Sequence, residues 1–436
     1  MSLNELHSQY ELLPYAYELP EWFTQLRDEA SEKWATLALP VIERAKFHRW
    51  PLFNTKIVDV EAMMDPLTYG TAAALELAEA EGAKIVQAGN STIMESLPID
   101  LKEQGVILMD LFEALVEYPD LVQQYFGTVI EHHTDKVVAY NTAHLNGGLF
   151  IYVPKNVEIE LPIESILMAD ARYHQAFNKR VLIVVDENSS VDYLERVQAE
   201  GEATFSATII VEVIVKAGAR LKYMAIDTLP QTTHAYIKRY ARTERDAHID
   251  WAIGEMNDSN VILDLDTYLD GNGSESQVAI VGISSNKQVQ AIDSKVVNRG
   301  HHTIGNIFQH GVILDRSTLT FNGIGLIENG AKHADAQQES RVLMLSDKAR
   351  GDANPILLIE EFEVTAGHAA SIGQVDEQQL HYLMSRGLTK ETAEYLVIRG
   401  FLGPVILSMP SQKVRDELME VIDHKLMSIK ADDLND

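Results

Sequence analysis

The middle of the chain alternates short apolar runs with turn residues. Between about residues 136 and 359, runs rich in β-branched and aromatic residues are separated by Gly, Asn and Asp. This pattern predicts strands joined by tight turns. The predicted strands are residues 136–140, 149–153, 157–161, 181–185, 208–215, 221–226, 278–283 and 319–327. The predicted turns are Lys155-Asn156, residues 188–190, Ala217-Gly218, Asn272-Gly273, Asn322-Gly323 and Asn329-Gly330.

The spacing of these turns bears on the architecture. The first turns recur roughly every thirty residues, a period typical of a stacked solenoid. Helical patterns are scarce in this span, so βαβ units are not expected. Periodicity alone favours the solenoid only weakly, and an ordinary β-sandwich stays open.

Helical patterns flank the β-rich span. The predicted helices are residues 21–39, 71–81 and 111–126 before it, and a segment after Gln374, one from Thr389 to near Gly400 and residues 414–429 after it. A short strand is predicted at 84–89. The predicted regions are a mostly helical one at 1–130, a β core at 131–365 and a helical one at 366–436. Stacked strands leave an unpaired edge at each end, and we expect the N-terminal helices to cap one of them.

Between the last predicted strand and the C-terminal helices lies a segment of small residues, 363–371, that contains His368. We expect this segment to be a loop and to carry the function. Gly367, Ala369 and Ala370 place little bulk around the imidazole, so a partner can approach closely. From the residues alone, a histidine that only caps a strand end is the stronger alternative, because a single His has many structural uses.

Charge narrows the classes of partner. The chain has 65 acidic and 36 basic residues, a formal charge of −29. Such a charge repels nucleic acid and anionic membranes, so neither is an expected partner. No apolar run approaches the length of a membrane span, and the N-terminus lacks a basic segment followed by an apolar core. A cytoplasmic location is therefore expected.

The sequence contains no cysteine, which excludes disulfides, thiolate nucleophiles and cysteine-ligated metal sites. A metal held by this chain must use histidine or carboxylate ligands. No P-loop ending in Gly-Lys-Ser or Gly-Lys-Thr occurs, so ATP hydrolysis by this chain is not expected.

Other motifs favour structural explanations. His301, His302, His310 and His333 match no known metal-ligand spacing. Residues 264–275 superficially resemble a calcium loop, but the glycine and the closing Glu are misplaced, so an acidic turn is expected. Gly323-x-Gly325 lacks the third glycine of a dinucleotide fingerprint, and Asp352 and Pro355 are expected in a turn before a strand.

The C-terminal part of the chain also carries a long series of motifs. It comprises Asp335, Gln337, Leu345-Ser346, Asp352, Pro355, Gly367-His368, Gly373-Gln374, Asp376, Leu380 and Arg386-Gly387. Together with a second block, residues 147–162, this series resembles the SufB/SufD family of the Suf iron–sulfur cluster assembly system, and its SufD branch in particular. The resemblance covers most of the chain and is weakest towards the N-terminus.

The resemblance implies a mainly β protein, a right-handed parallel β-helix flanked by helical N- and C-terminal regions. It also implies a non-catalytic scaffold that pairs with a SufB-like subunit through one end of the solenoid. A SufC-like ATPase, which would supply the ATPase activity, would dock on the C-terminal helices. On residue type alone, Tyr382, Arg386 and Phe401 are the candidate exposed contacts.

The resemblance further implies that His368 faces the SufB-like partner, where an iron–sulfur cluster is assembled transiently, with Gly367, Glu361 and Glu363 in support. Imidazole suits iron, so His368 is a candidate metal ligand shared with the partner. Many family members have a Cys where this chain has Ala366, so His368 would serve alone. No cofactor is expected to bind stably to this chain by itself. FAD in the complex and a homodimer of the isolated chain stay open.

Two further functions stay open. One is a β-helix enzyme that cleaves acidic polysaccharides, although such enzymes usually need an export signal and a basic or carboxylate-lined groove. The other is a purely structural partner in which His368 is inert. SufB itself fits less well, because a cysteine-free chain lacks the thiolate expected of the cluster-building subunit.

Overall fold

The computed structural model describes residues 18–53, 81–172, 176–409 and 411–433, with side chains as far as residue 426. The helix predicted at 71–81 lies outside the described residues at all but its last position. The helices are α1 (Glu21–Trp34), α2 (Ile99–Glu103), α3 (Leu111–Glu117), α4 (Pro119–Tyr125), α5 (Lys136–Ala143), α6 (Glu377–Ser385), α7 (Lys390–Ser408) and α8 (Gln412–Asp433).

The strands follow one another closely through the middle of the chain. They are β1 (Lys84–Ala88), β2 (Ser91–Ser96), β3 (Ile107–Asp110), β4 (Gly148–Val153), β5 (Ile163–Asp170), β6 (Phe177–Val185), β7 (Ser190–Glu200), β8 (Phe205–Val215), β9 (Arg220–Asp227), β10 (Thr233–Thr243), β11 (His248–Glu255), β12 (Asn260–Leu269), β13 (Glu275–Ser284), β14 (Val289–Asn298), β15 (Ile304–Ile313), β16 (Thr318–Ile327), β17 (Asp335–Met344), β18 (Arg350–Ile359) and β19 (Thr365–Gln374).

Two parallel sheets form a β-solenoid of about eight turns. From β4 onward, each turn of the chain adds one strand to a nine-stranded sheet, ordered β18-β16-β14-β12-β10-β8-β6-β4-β3. It adds the next strand to a ten-stranded sheet, ordered β19-β17-β15-β13-β11-β9-β7-β5-β1-β2. The solenoid expectation is confirmed, and the sandwich alternative is wrong.

Side chains at the same register stack through the interior of the solenoid. Ile209, Ile237, Leu263, Ile292 and Phe321 form one such stack over successive turns, and all five are fully buried. Because neighbouring strands repeat the same pleat, alternate residues of each strand point inward. Burial of each of these side chains contributes about 1.5–3 kcal/mol. The apolar alternation in the sequence thus becomes one continuous core.

Most predicted turns are confirmed. The confirmed pairs are Lys155-Asn156, Ala217-Gly218, Asn272-Gly273 and Asn329-Gly330, whereas the turn predicted at 188–190 begins at Glu187. Asn156 has a φ of 62° and Gly218 a φ of 68°, in the left-handed region that Asn and Gly tolerate. The turn predicted at Asn322-Gly323 is wrong, because both residues lie inside β16. The Asn322 side chain bonds across the sheet instead of to its own backbone.

Two predicted strands are also wrong. Residues 136–140 form the start of α5, because the Asp135 carboxylate accepts hydrogen bonds from the N–H groups of Val137 and Val138 at 2.8 and 2.9 Å. This N-terminal cap outweighs the strand preference of the two valines. Residues 157–161 form only an isolated bridge between Glu158 and Ser190.

The N-terminal helices cover the outer face of the nine-stranded sheet. Phe23 of α1 and Leu111 and Leu115 of α3 pack in one cluster with Leu182 and Val184 of β6. The N-terminal end of the solenoid is closed by strands, since β2 pairs antiparallel with β1 and β3 pairs antiparallel with β4. Leu101 of α2 also packs into the interior core beside Ala83 and Leu149. One N-terminal helix thus caps this end, as expected, while α1 and α3 cover a face.

The C-terminal helices cover the outer face of the ten-stranded sheet. Leu402 of α7 and Leu418 of α8 pack in one cluster with Met224 and Val281. A Cβ atom at Gly254 of β11 would lie 2.5 Å from Leu418 Cδ1, so the absence of a side chain there lets α8 approach the sheet.

Helices α6 and α7 begin where predicted, α8 begins two residues before the predicted position 414, and α7 ends later than expected. Asp376 caps α6 by accepting from the N–H of Gln378 at 2.8 Å, and Thr389 caps α7 by accepting from the N–H of Thr392 at 3.2 Å. The end predicted at Gly400 is wrong, because α7 continues to Ser408. No helix among the described residues has the length and hydropathy needed to span a membrane.

Candidate functional site

The C-terminal end of the solenoid consists of two strands with unpaired outer edges. No described strand pairs with the outer side of β18 or β19. The N–H group of Thr365 donates to the Ala334 carbonyl at 2.9 Å, and that of Val375 donates to the Met344 carbonyl at 3.2 Å. Both carbonyls lie on the β17 side of β19. Successive residues of a parallel strand alternate in direction, so the even-numbered residues of β19 turn their N–H and C=O groups to the free edge. Such an edge is a template for pairing with another chain.

His368 lies on this edge, inside β19 and not in a loop. The loop predicted at 363–371 is wrong, because residues 365–374 pair in register with β17. Small residues such as Gly367 and Ala369 resemble loop composition in the sequence, yet they also fit a strand that has no described outer neighbour. The sheet thus extends to Gln374, beyond the predicted boundary at 365, while the division into three regions stays a prediction.

The His368 side chain shares the inward face of its strand. His368 pairs with Gln338, and in-register parallel partners point to the same side of a sheet. Gln338 is buried, and Val342 on the same face of β17 belongs to the interior core. No described turn lies above His368, so its imidazole is exposed at the mouth of the solenoid.

Beneath His368 the interior becomes polar. Gln338 donates to the Ile356 carbonyl at 3.1 Å, and Ser340 donates to Gln309 Oε1 at 2.8 Å. The Oε1 atom of Gln338 is buried and has no hydrogen-bond partner among the described residues. A Cβ atom at Gly325 would lie 2.5 Å from Gln338 Nε2. The glycine predicted not to bind a dinucleotide therefore makes room for this glutamine.

Further inside, the solenoid contains a buried charge cluster that sequence reasoning missed. Arg239 is fully buried and donates to Asp227 at 2.8 and 2.9 Å and to Glu195 at 2.9 Å. Burial raises the pKa of Glu195 above its usual value, while the Arg239 charge opposes that rise. These residues lie in strands and carry no motif, so only their register brings them together.

The residues predicted to support His368 point elsewhere. Glu361 accepts hydrogen bonds from the N–H groups of Phe362 and Gly330, at 2.8 and 3.1 Å, and these bonds hold the pKa of its carboxyl below the usual value. Glu363 lies 3.5 Å from the Lys332 ammonium. Both carboxylates thus contact the preceding turn, around 330–333. At Gly367, a Cβ atom would lie 2.7 Å from Gln337 Oε1.

An apolar rim surrounds the open end. Leu358 and Ile359 of β18 and Ile372 of β19 are 49%, 47% and 43% exposed, and Phe362 in the turn between the strands is 96% exposed. Large apolar side chains exposed beside an unpaired strand edge are typical of a protein interaction surface. In the sequence they are typical strand residues, because nothing local reveals that no further turn among the described residues covers them.

The three candidate docking residues differ in their surroundings. Tyr382 is exposed on α6, and Arg386 donates to its hydroxyl at 2.9 Å with the guanidinium over the ring. Phe401 instead stacks on His310 at 5.1 Å, and its carbonyl lies 3.0 Å from His310 Nδ1. Phe401 is therefore only partly exposed, and its role in docking stays a prediction. Leu407, missed from the sequence, is 74% exposed on α7.

The rejected motifs are structural. His302 and His333 stack at 4.7 Å in adjacent turns, and His310 lies under α7. Asp264 and Asp266 lie in β12 and pair with lysines at 3.0 and 2.5 Å, so the acidic turn expected over residues 264–275 begins only after Leu269. The turn expected at Asp352 and Pro355 is also wrong, since both belong to β18. Within the described part of the chain, no group of three or more His, Asp or Glu side chains is placed to hold a metal ion.

Comparisons with known proteins agree over nearly the whole chain. A family model described as "SUF system FeS cluster assembly, SufBD core domain" matches residues 167–401, and one described as "SufBD protein N-terminal region" matches residues 78–164. The iron–sulfur cluster assembly protein SufD of Bacillus subtilis (strain 168) is 40% identical over 421 residues, which cover 94% of this chain and 95% of that protein. Iron–sulfur cluster assembly SufBD family proteins of Staphylococcus saprophyticus and Staphylococcus epidermidis are 27% identical over 324 residues, 74% of this chain and 70% of theirs.

Proposed function

Since the chain belongs to the SufBD family of iron–sulfur cluster assembly proteins, we propose that it is the scaffold subunit that pairs with a SufB-like chain through β18 and β19. The observation that carries this proposal is the open end of the solenoid. Two adjacent strands present free backbone groups, and an apolar rim including Phe362 surrounds them. A partner with a matching solenoid end would pair with the free backbone groups and bury the apolar rim.

The proposal gives His368 a direct role at the joint between the two subunits. Its imidazole is exposed at the mouth of the solenoid, and its backbone lies on the free edge. A partner strand would bring its own ligands beside this histidine, and imidazole is a good ligand for iron. Ala366 supplies no thiolate, so the nascent cluster, as cargo, would be held mainly by the partner.

A SufC-like ATPase would dock on the C-terminal helices, and the scaffold itself would remain non-catalytic. The exposed Tyr382 and Arg386 pair on α6 and the exposed Leu407 on α7 support this docking, because interfaces are enriched in Tyr, Arg and apolar contacts. Any flavin that reduces the cluster would belong to the complex and not to this chain alone.

The test is anaerobic co-expression of the chain with SufB-like and SufC-like subunits of the same organism. Subunit stoichiometry and visible absorption are measured for the unaltered chain, His368→Ala and the control His301→Ala, whose exposed side chain lies in a turn. All three should form the complex, and only His368→Ala should lose the cluster absorption.

Two outcomes contradict the proposal at different points. Normal cluster assembly by His368→Ala would make the histidine inert and leave a purely structural partner. A chain that stays a colourless homo-oligomer in the presence of both subunits would refute the scaffold role itself.

A further inference from the structure

A row of polar side chains crosses the outer face of the nine-stranded sheet at a single register. The polar row consists of Lys238, Asp264, Asp293, Asn322 and Asn354, on β10, β12, β14, β16 and β18. Lys238 lies 3.0 Å from Asp264, Asn322 donates to Asp293 at 2.7 Å, and Asn354 donates to Asn322 at 2.9 Å. The polar row starts at an internal lysine and ends on the edge strand.

The amide of Asn322 can point in one direction only. Its Nδ2 group donates to the Glu43 carbonyl at 3.1 Å as well as to the Asp293 carboxylate. A carbonyl oxygen only accepts hydrogen bonds, so a flipped Asn322 amide would face it with a second acceptor. Glu43 is held in place by its neighbour Arg44, which contacts Asp352 at 3.0 Å. Asn322 therefore turns its Oδ1 atom towards the edge strand.

The orientation of the Asn322 amide also fixes the orientation of the Asn354 amide, at the end of the polar row. Asn354 must donate with its Nδ2 group to Asn322 Oδ1, which leaves its own Oδ1 as an acceptor. The described residues supply no donor to that oxygen, and Asn354 is half-buried on the outermost strand. A strand that pairs with β18 would place a side chain of its outer face next to this oxygen.

We infer that Asn354 selects the partner strand: the chain that pairs with β18 presents a side-chain hydrogen-bond donor opposite Asn354 Oδ1. This inference rests on the proposed function, because it concerns the same open end. A buried acceptor left without a donor costs about 1–3 kcal/mol. A donor at this position therefore distinguishes partners whose backbones pair equally well.

The backbone of β18 makes this side-chain contact more important for partner binding, because the edge of β18 lacks one backbone donor. Arg350 and Glu360 donate to Ser317 and Ile327 at 2.9 Å, so the odd-numbered residues of β18 face the free edge. Pro355 is one of them and has no N–H to offer. The partner loses one backbone hydrogen bond beside Asn354, where the side-chain bond becomes available.

A second copy of this chain is a poor occupant when β18 pairs with β18. The outer face of β18 carries Arg350, Asp352, Asn354, Ile356 and Leu358. Arg350 is the one strong donor among these side chains besides the amide of Asn354, and its guanidinium already contacts Asp352 at 2.9 Å. The Asn354 amide uses one of its two N–H groups towards Asn322, and the other is free to donate. A homodimer would therefore match Asn354 Oδ1 only in the single register that sets Asn354 opposite its own copy, and we take a different chain as the occupant.

The experiment measures the affinity of the full chain for the SufB-like subunit of the same organism by titration calorimetry. Asn354→Leu removes the acceptor, Asn354→Asp keeps an acceptor but removes the donor, and Ile356→Leu is the control on the same face. We expect Asn354→Leu to weaken binding about tenfold, while Asn354→Asp and the control stay within about threefold.

Each contrary outcome has a distinct meaning. Unchanged affinity of Asn354→Leu overturns the inference, and so does an equal loss with Asn354→Asp, which would show that Asn354 acts by supporting its own sheet. If the chain alone forms a dimer that Asn354→Leu disrupts and the SufB-like subunit does not displace, the occupant is a second copy and the inference fails. If the unaltered chain ignores the SufB-like subunit, the proposed function fails and the inference falls with it.

Discussion

Replacing Gly254 by alanine tests how closely α8 is seated on the solenoid. The new Cβ atom would lie 2.5 Å from Cδ1 of Leu418, a side chain that is fully buried. Overpacking of this kind costs about 1–3 kcal/mol. A Gly→Ala change at a compatible backbone also restricts the unfolded chain, which recovers about 0.4–1 kcal/mol. We therefore expect a net loss of about 1–2 kcal/mol in the free energy of unfolding.

Gly282→Ala is the matched control. Gly282 lies on the neighbouring strand β13, and its nearest contact to a new Cβ would be Ile292 Cδ1 at 3.5 Å, an ordinary packing distance. Neither glycine has a positive φ, so alanine fits both backbones. Denaturant unfolding followed by circular dichroism should show a lower midpoint for Gly254→Ala and an equal or higher one for Gly282→Ala.

The position of α8 supplies a second measurement. The clash is local, so limited proteolysis should release α8 earlier in Gly254→Ala than in the control. Midpoints and cleavage rates that are equal for the two variants would refute the reasoning, because they would mean that Leu418 moves aside without cost.

Three further predictions concern buried charge and docking. Burial, with the nearby Asp264 charge, raises the pKa of Asp293 from 3.8 to about 7, so its contribution to stability is present below about pH 4 and is lost as the pH rises to about 7. Asp293→Asn cannot ionise and should raise the free energy of unfolding at pH 8 by about 1–3 kcal/mol, with a flatter pH profile in denaturant unfolding. Arg239→Met should lower the free energy of unfolding by about 3–5 kcal/mol, because the buried carboxylate of Asp227 loses its partner. Arg386→Glu should abolish co-purification with the SufC-like ATPase but leave pairing with the SufB-like subunit intact.

Each of these has a contrary result. Parallel pH profiles for Asp293→Asn and the unaltered chain would show that the pKa of this carboxyl is the same in the folded and unfolded states. Unchanged stability of Arg239→Met would mean that the interior tolerates the unpaired carboxylate. Arg245→Glu, at an exposed turn, is the control for charge reversal, and an equal loss of ATPase binding there would remove the specific role of Arg386.

Much of the fold is predictable because its determinants are local. Short β-branched runs mark solenoid strands such as β8 and β16, and Asn or Gly at turn positions reflects the left-handed backbone that those turns need. The wrong predictions fall where another contact outweighs propensity. Asp135 caps a helix over valines that favour a strand, and Asn322 directs its amide to neighbouring strands.

The candidate site is predictable only in part. The family resemblance identifies His368 as the residue of interest, but its segment reads as a loop because small residues are typical of both loops and unburied edge strands. Residue type places Phe401 on the surface, whereas its stacking on His310 depends on where α7 crosses β15. No local pattern shows that Leu358 and Phe362 are exposed, since their exposure follows from the absence of a further described turn.

By itself, the sequence determined the elements of this protein: the strand-rich middle, its turns, its helical flanks, the lack of thiolates and the acidic charge. These follow from single residues and short periods along the chain. Tertiary structure alone decided which way His368 faces, which charges meet around Arg239, and where the polar row ends. Each depends on the register between strands about thirty residues apart, and register is set by the stacking of the whole solenoid.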